Sequence, residues 1–158
     1  MKLKKEYIDI NDTLHHIKVQ TIDSINFANI VCPDFEHPED LFYWLKENTT
    51  YKNDPRDIEL LQTMQTLFNK NYHGIPGAGD CDCFTITAGA CFIRCGWNYD
   101  IVLVGRDKRN PVHIYTLVYF KNKPYVFDLT NPKFNTERPY KYIQEIPVNW
   151  RKWKIKGR

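Results

Sequence analysis

Serine is nearly missing from this chain: Ser24 stands alone in 158 residues, in Asp23-Ser24-Ile25-Asn26, with no flanking glycine. The glycine elbow that exposes a serine nucleophile is therefore absent, which excludes serine-hydrolase chemistry of that kind. Long apolar runs are missing too. No stretch approaches the roughly 18 residues needed to span a bilayer, so no membrane association is expected. The opening Met1-Lys-Leu-Lys-Lys is basic, but Glu6, Asp9 and Asp12 follow where a secretory leader carries its apolar segment. The five cysteines are accordingly expected to be reduced thiols of a cytoplasmic protein; an odd number cannot all pair within one chain. A net charge of +3 is too small to indicate a nucleic-acid surface, and specific nucleic-acid binding is not expected.

What is present suffices for one core. Nine phenylalanines, ten tyrosines and four tryptophans supply bulk, and the length suits a single domain. Leu14, His16, Lys18 and Gln20 alternate with His15, Ile17, Val19 and Thr21, which predicts a strand within a β-rich N-terminal extension over 1–35. Pro38-Glu39-Asp40 reads as the first turn of a helix that ends near Glu47. A second helix is expected from an Asp54 N-cap and Pro55 to about Asn69. Gly74, Gly77 and Gly79 with Pro76 mark a tight loop, and Cys81 to Cys95 reads as a helix closed by Gly96. Three strands follow, Tyr99–Val104, Val112–Phe120 and Tyr125–Leu129, the last two joined as a hairpin at Lys121-Asn122-Lys123. The domain is drawn over 1–140, with its core over 54–140. Residues 141–158 form a basic tail carrying Trp150 and Trp153.

Three kinds of chemistry compete for the segment after the glycine loop. Gly74 to Gly79 has phosphate-loop glycines, but Asp80-Cys81 follows where a phosphate needs Lys and Ser or Thr. Cys81, Cys83, Cys91 and Cys95 lack the paired spacing of a structural zinc site, and on one helix Cys83 points away from Cys81. A thiol nucleophile fits better. Cys81 opens a helix, where free N–H groups and the dipole favour a thiolate and can bind an oxyanion. Its pKa is therefore expected below the free value, with Cys83, Cys91 and Cys95 as packing residues. A base and an orienting acid are needed. His113 begins a strand, and Asp128 is an acid within an apolar one. If the hairpin turns at Lys121-Asn122, residue 128 lies opposite Tyr115, diagonal to His113 on the same face and within reach. A slip of one residue would separate them.

Gly79-Asp80-Cys81-Asp82, Val112-His113-Ile114-Tyr115 and Phe127-Asp128-Leu129-Thr130, in this order, resemble the transglutaminase-like cysteine-enzyme superfamily. With Leu60-Leu61-Gln62-Thr63, they are similar to small members encoded by tailed bacteriophages. The resemblance implies an α+β, papain-like fold with the Cys81 helix packed on an antiparallel sheet. It implies acyl transfer through Cys81, His113 and Asp128, with Gln62 or Gln65 as a further oxyanion donor and with no metal or organic cofactor. The substrate would be a protein or peptide, and the acceptor water or an amine. The alternative is an adaptor or structural protein, virion-associated if phage-encoded, that keeps the fold without catalysis. The tail is expected to dock through Trp150 and Trp153, on its own domain or on a partner protein or phage component.

Overall fold

A computed structural model of the chain describes residues 1–4, 9–109 and 111–154. In chain order it contains β1 (Lys2–Lys4), α1 (Ile10–Val31), α2 (Pro38–Asn48), β2 (Thr50–Tyr51), β3 (Ile58–Leu60) and α3 (Met64–Phe68). Then come β4 (Ala78–Gly79), α4 (Cys81–Cys95), β5 (Tyr99–Gly105), β6 (Pro111–Phe120), β7 (Lys123–Phe127) and β8 (Tyr142–Val148), and a 3-10 turn over Trp150–Lys152. The fold is α+β: the helices pack on a four-stranded antiparallel sheet of order β7-β6-β5-β8. Among the described residues no helix is long and apolar enough to cross a membrane.

The expectation of β structure over 1–35 is wrong for most of that stretch. Asp9 caps α1 by accepting the Asp12 N–H at 2.9 Å, and Ile17, Gln20, Thr21, Ser24, Ile25 and Ala28 are buried at helical spacing. Three of these six are polar, so the inner stripe did not read as apolar. They are tolerated because Thr21 donates to the Ile17 carbonyl (2.7 Å) and Ser24 to the Gln20 carbonyl (2.6 Å). Ser24 also accepts the Met64 N–H at 2.9 Å, fastening α1 to the start of α3.

The helix expected over 54–69 is also corrected. Asp54 caps no helix; its Oδ2 accepts the Leu60 N–H at 2.8 Å, across a turn in which Asp57 has φ 63°. That left-handed residue cannot sit inside a right-handed helix at low cost, so the chain forms β3 and turns helical only after Thr63, which caps α3.

α2, α4 and the strands β5 to β7 follow the sequence closely. α2 begins at Pro38 with His37 as its cap and buries Leu41, Phe42 and Leu45. α4 spans Cys81–Cys95 and ends at Gly96 with φ 78°. It is buried along almost its whole length, between α1 and the sheet. At Gly89 it comes so close that a methyl group would collide with the Tyr99 ring and crowd Thr21.

Every residue of β5 is buried, because both faces of this central strand are covered. Ile101, Leu103, Ile114, Val118 and Phe127 join the helical core, while Val102, Val104 and Tyr115 pack with Leu117, Val126 and Tyr140 on the opposite face. The β6–β7 turn places Lys121 and Asn122 at φ 50° and 64°, the left-handed pair that a tight hairpin prefers. It fixes the register at Phe120↔Lys123 through Thr116↔Phe127.

The segment 141–158 is not a tail beyond a finished sheet. Residues 142–148 form β8, the strand beside β5. Trp150 is buried, donates its indole N–H to the Trp97 carbonyl at 3.1 Å and lies under the Arg151 guanidinium. Trp153 is half-buried, with Lys18 over its ring. Both tryptophans thus dock on their own domain; the last cations of the segment, Lys156 and Arg158, lie outside the described residues.

Candidate active site

Cys81 is the first residue of α4 and is half-buried. Asp80, the N-cap, accepts the N–H groups of Asp82 (3.1 Å) and Cys83 (3.4 Å) on Oδ1, and its carbonyl accepts the Phe84 N–H. Of the N–H groups of Cys81, Asp82 and Cys83, which have no acceptor within the helix, the Asp80 carboxylate takes up those of Asp82 and Cys83. The electrostatics of the helix start are thereby changed. Burial, then the charges of Asp82 and Asp80, push the Cys81 thiol well up, against a backbone hydrogen bond from Ile114 that favours the anion. The expectation of a lowered pKa is therefore reversed: burial outweighs the helix start, two of whose N–H groups are held by Asp80, and the charges of Asp82 and Asp80 add to it.

His113 and Asp128 meet as the hairpin register requires. Extending the β6–β7 pairing by one position sets residue 128 opposite Tyr115, and His113 Nε2 lies 2.7 Å from Asp128 Oδ2. Both side chains are mostly buried, 11% and 4% exposed. The other oxygen, Oδ1, accepts the Thr130 hydroxyl (2.7 Å) and the Thr130 N–H (3.0 Å). Burial alone would raise the Asp128 pKa; the bonds from His113 and Thr130 outweigh it and hold the group below the usual carboxylate range. Tyr115 and Tyr140 flank the imidazole, with ring centroids 5.7 and 6.4 Å away. Thr130 and Tyr140 were not singled out for any role from the sequence. Thr130 could have been, because Asp-x-Thr is the spacing at which a hydroxyl reaches back to a carboxylate.

Cys81 and His113 line one open cleft of about 540 Å³, together with Tyr51, Asp54, Asp80 and Val112. Asp128 lies behind the imidazole, in a smaller recess that Cys81 also borders. Among the described residues no hydrogen bond joins the Cys81 sulfur directly to His113. Because Nε2 is engaged with Asp128, Nδ1 is the ring nitrogen left to exchange a proton with the thiol.

Gln62 and Gln65 do not reach the cleft. Gln62 is fully buried, with its amide N–H on the Ala78 carbonyl and its oxygen on the Tyr72 N–H, and Gln65 donates to the Asp23 carbonyl. Nor are the other helix thiols at the cleft: Cys83 and Cys91 are fully buried, Cys83 donating to the Leu60 carbonyl at 3.0 Å. Among the described residues, the group that could hold a metal is Asp54, Glu59 and Asp80, one oxygen of each lying within 4.8 Å of the others.

No family model matches the chain, and no curated protein matches it. A solved structure does. It is described as the crystal structure of a TGase, and the likeness covers 87% of this chain and 37% of that one, at 15% identity and a TM-score of 0.41. The chain thus spans little more than a third of that protein's length. Likeness at this level says nothing about the chemistry of the cleft.

Proposed function

We propose that the protein catalyses cysteine-dependent acyl transfer on an amide, with Cys81 as nucleophile, His113 as proton carrier and Asp128 as its orienting acid. The supporting observation is the buried 2.7 Å pair of His113 and Asp128 on the wall of the cleft that Cys81 opens into. The motif order shared with transglutaminase-like enzymes supports the same reading.

Because the resting group is a thiol, the proton leaves during attack rather than before it. His113 takes the S–H proton on Nδ1 as sulfur bonds to the amide carbonyl carbon, giving an imidazolium that Asp128 stabilises through Nε2–H. The same proton then passes to the departing amine as the C–N bond breaks, leaving a thioester on Cys81. Water or a second amine attacks the thioester, loses its proton to His113, and the thiol is restored. The Cys81 N–H, which the Asp80 carboxylate does not take up, is the backbone donor this reading assigns to the developing oxyanion.

The test is incorporation of a fluorescent primary amine into a glutamine-rich protein, with hydrolysis of a peptide library followed in parallel. Cys81→Ala and His113→Ala should each abolish turnover while leaving the circular dichroism spectrum intact. Turnover that survives Cys81→Ala would sink the assignment. The raised thiol and the lack of a direct sulfur–imidazole bond favour a second reading, an adaptor that retains the fold without catalysis. In that case neither assay gives turnover, and alkylating Cys81 leaves every binding property unchanged.

A further inference from the structure

One face of α1 is not wholly covered by the sheet. Leu14, Ile17, Lys18 and Thr21 recur at the three- and four-residue spacing that sets side chains on one side of a helix. Opposite them stand Tyr99 and Ile101 of β5, Ile146 of β8 and Trp153, and between the two rows runs a groove of about 270 Å³. It shares no lining residue with the cleft at Cys81. Ile17, Tyr99 and Ile101 are buried and form its floor, while Ile146 and Trp153 are half-buried and form its outer wall.

An apolar groove alone would not make a site. The second observation is the Tyr99 hydroxyl, on a side chain only 2% exposed. Among the described residues it has no hydrogen-bond partner. It lies against Gly89 of α4 and beside the Thr21 methyl, and Thr21 lines the groove. Leaving a buried phenol unpaired is costly. A water there would find few further partners, since the Thr21 hydroxyl already donates to the Ile17 carbonyl. The inner end of the groove therefore lacks one hydrogen-bond acceptor.

The third observation is a charge. Lys18 lines the groove at its exposed side, with its ammonium 5.5 Å over the Trp153 ring. Among the described residues no carboxylate pairs with it. Lys18 and Thr21 are three residues apart on α1, a rise of about 4.5 Å. One anionic group at the Tyr99 hydroxyl thus falls within the span of the flexible lysine side chain.

We propose that this groove binds a small amphiphilic carboxylate, its apolar body against Ile17, Ile101 and Trp153 and its carboxylate between the Tyr99 hydroxyl and the Lys18 ammonium. One cation and one donor match a single negative charge better than a phosphate's two. The volume is a little under twice the ~150 Å³ cavity that takes one benzene, so it suits one short chain or one ring with a short arm. The site is independent of whether Cys81 acts as a nucleophile.

The experiment titrates the full chain with octanoate and, separately, with octanol and octylammonium, which keep the apolar chain and change the head group. Calorimetry reads the affinity, and NMR shifts of isoleucine methyl and tryptophan indole signals locate the binding. Octanoate should saturate one site with a Kd of about 1 mM or tighter, shifting Ile17, Ile101 and Trp153, and the other two should bind roughly tenfold more weakly or worse. Lys18→Gln should remove the preference for octanoate over octanol. Tyr99→Phe should weaken octanoate by about tenfold, and Ile146→Trp, which fills the groove, should abolish binding. No saturable binding of octanoate up to about 10 mM overturns the proposal. So does equal binding of the three head groups, or binding that survives Ile146→Trp. Binding gained by Ile155→Asp where the wild-type chain shows none assigns the groove to the chain's own C-terminal residues and overturns it as well. Where a variant fails to fold, the wild-type comparison of the three head groups decides.

Discussion

Cys81 sits where a helix should help its anion, and its neighbours cancel that help. Burial of the thiol opposes its anion first, the charges of Asp82 and Asp80 add to that, and Asp80 holds the Asp82 and Cys83 N–H groups on its own carboxylate. Alkylation of Cys81 should therefore be slow at neutral pH and accelerate steadily into the alkaline range, with no plateau near pH 6–8 of the kind a preformed thiolate gives. Mapping iodoacetamide adducts by mass spectrometry across pH 6 to 10 reads this directly, and a plateau on the acidic side would contradict it.

Asp128 behaves oppositely. Its folded pKa lies below the unfolded value of about 3.9. The stability it contributes is thus fully present above that value and is lost as pH falls through the folded pKa. Asp128→Asn should destabilise the protein at neutral pH by about 1.5–3 kcal/mol, the range for hydrogen bonds to a charged group. It should also flatten the loss of stability below about pH 4. Urea unfolding at pH 7 and pH 3 checks both, and an unchanged acid limb would mean that Asp128 does not carry it. Asp128 is also where the sequence served best. The position of one turn, Lys121-Asn122, was enough to bring it to His113. The raised pKa of Cys81 was not legible, because it comes first from burial of the thiol and then from the charges of Asp82 and Asp80, and burial is a property of the packed fold.

At the scale of elements, legibility divides along polarity. α4 and the strands β5 to β7 announce themselves because apolar, β-branched and aromatic residues dominate them and Gly96 marks a boundary. α1 hid because Gln20, Thr21 and Ser24 occupy its inner face, and the Asp54 region hid because a single left-handed residue, Asp57, overrides a good capping sequence. β8 hid because it alternates weakly and contains Pro147, which an edge strand can accept. The chain's sole serine then has a structural role: Ser24→Ala would strip the buried Met64 N–H of its acceptor. We expect a loss of about 1–3 kcal/mol, measurable as a lower urea midpoint with an unchanged slope; a neutral result would mean that the two helices are not joined there. The contact of α4 with α1 and β5 is tested at Gly89. Gly89→Ala should cost about 1–3 kcal/mol through overpacking, and Tyr99→Phe in the same chain should recover part of it, since the hydroxyl is the nearest obstacle. Full additivity of the two changes would exclude the contact.

For the molecule as a whole, the sheet depends on residues far along the chain. A chain ending at Tyr140 leaves one edge of β5 without a partner and removes the Trp150 and Trp153 contacts. It should lose cooperative thermal unfolding and associate, as an uncovered apolar edge does. Sedimentation velocity and far-UV circular dichroism report on each, and a monomer with an intact transition would show that β8 is dispensable.

The strand order also sets a timetable for synthesis. β5 ends at Gly105, and its partner β8 begins only at Tyr142. At a ribosomal rate of about 5–20 residues per second, some 37 residues take about 2–7 s to emerge. Throughout that interval the most apolar strand of the sheet has one open flank in a crowded cell. A holdase that recognises extended apolar segments should therefore crosslink to nascent chains stalled between 105 and 142, and release them once residues 142–148 clear the exit tunnel.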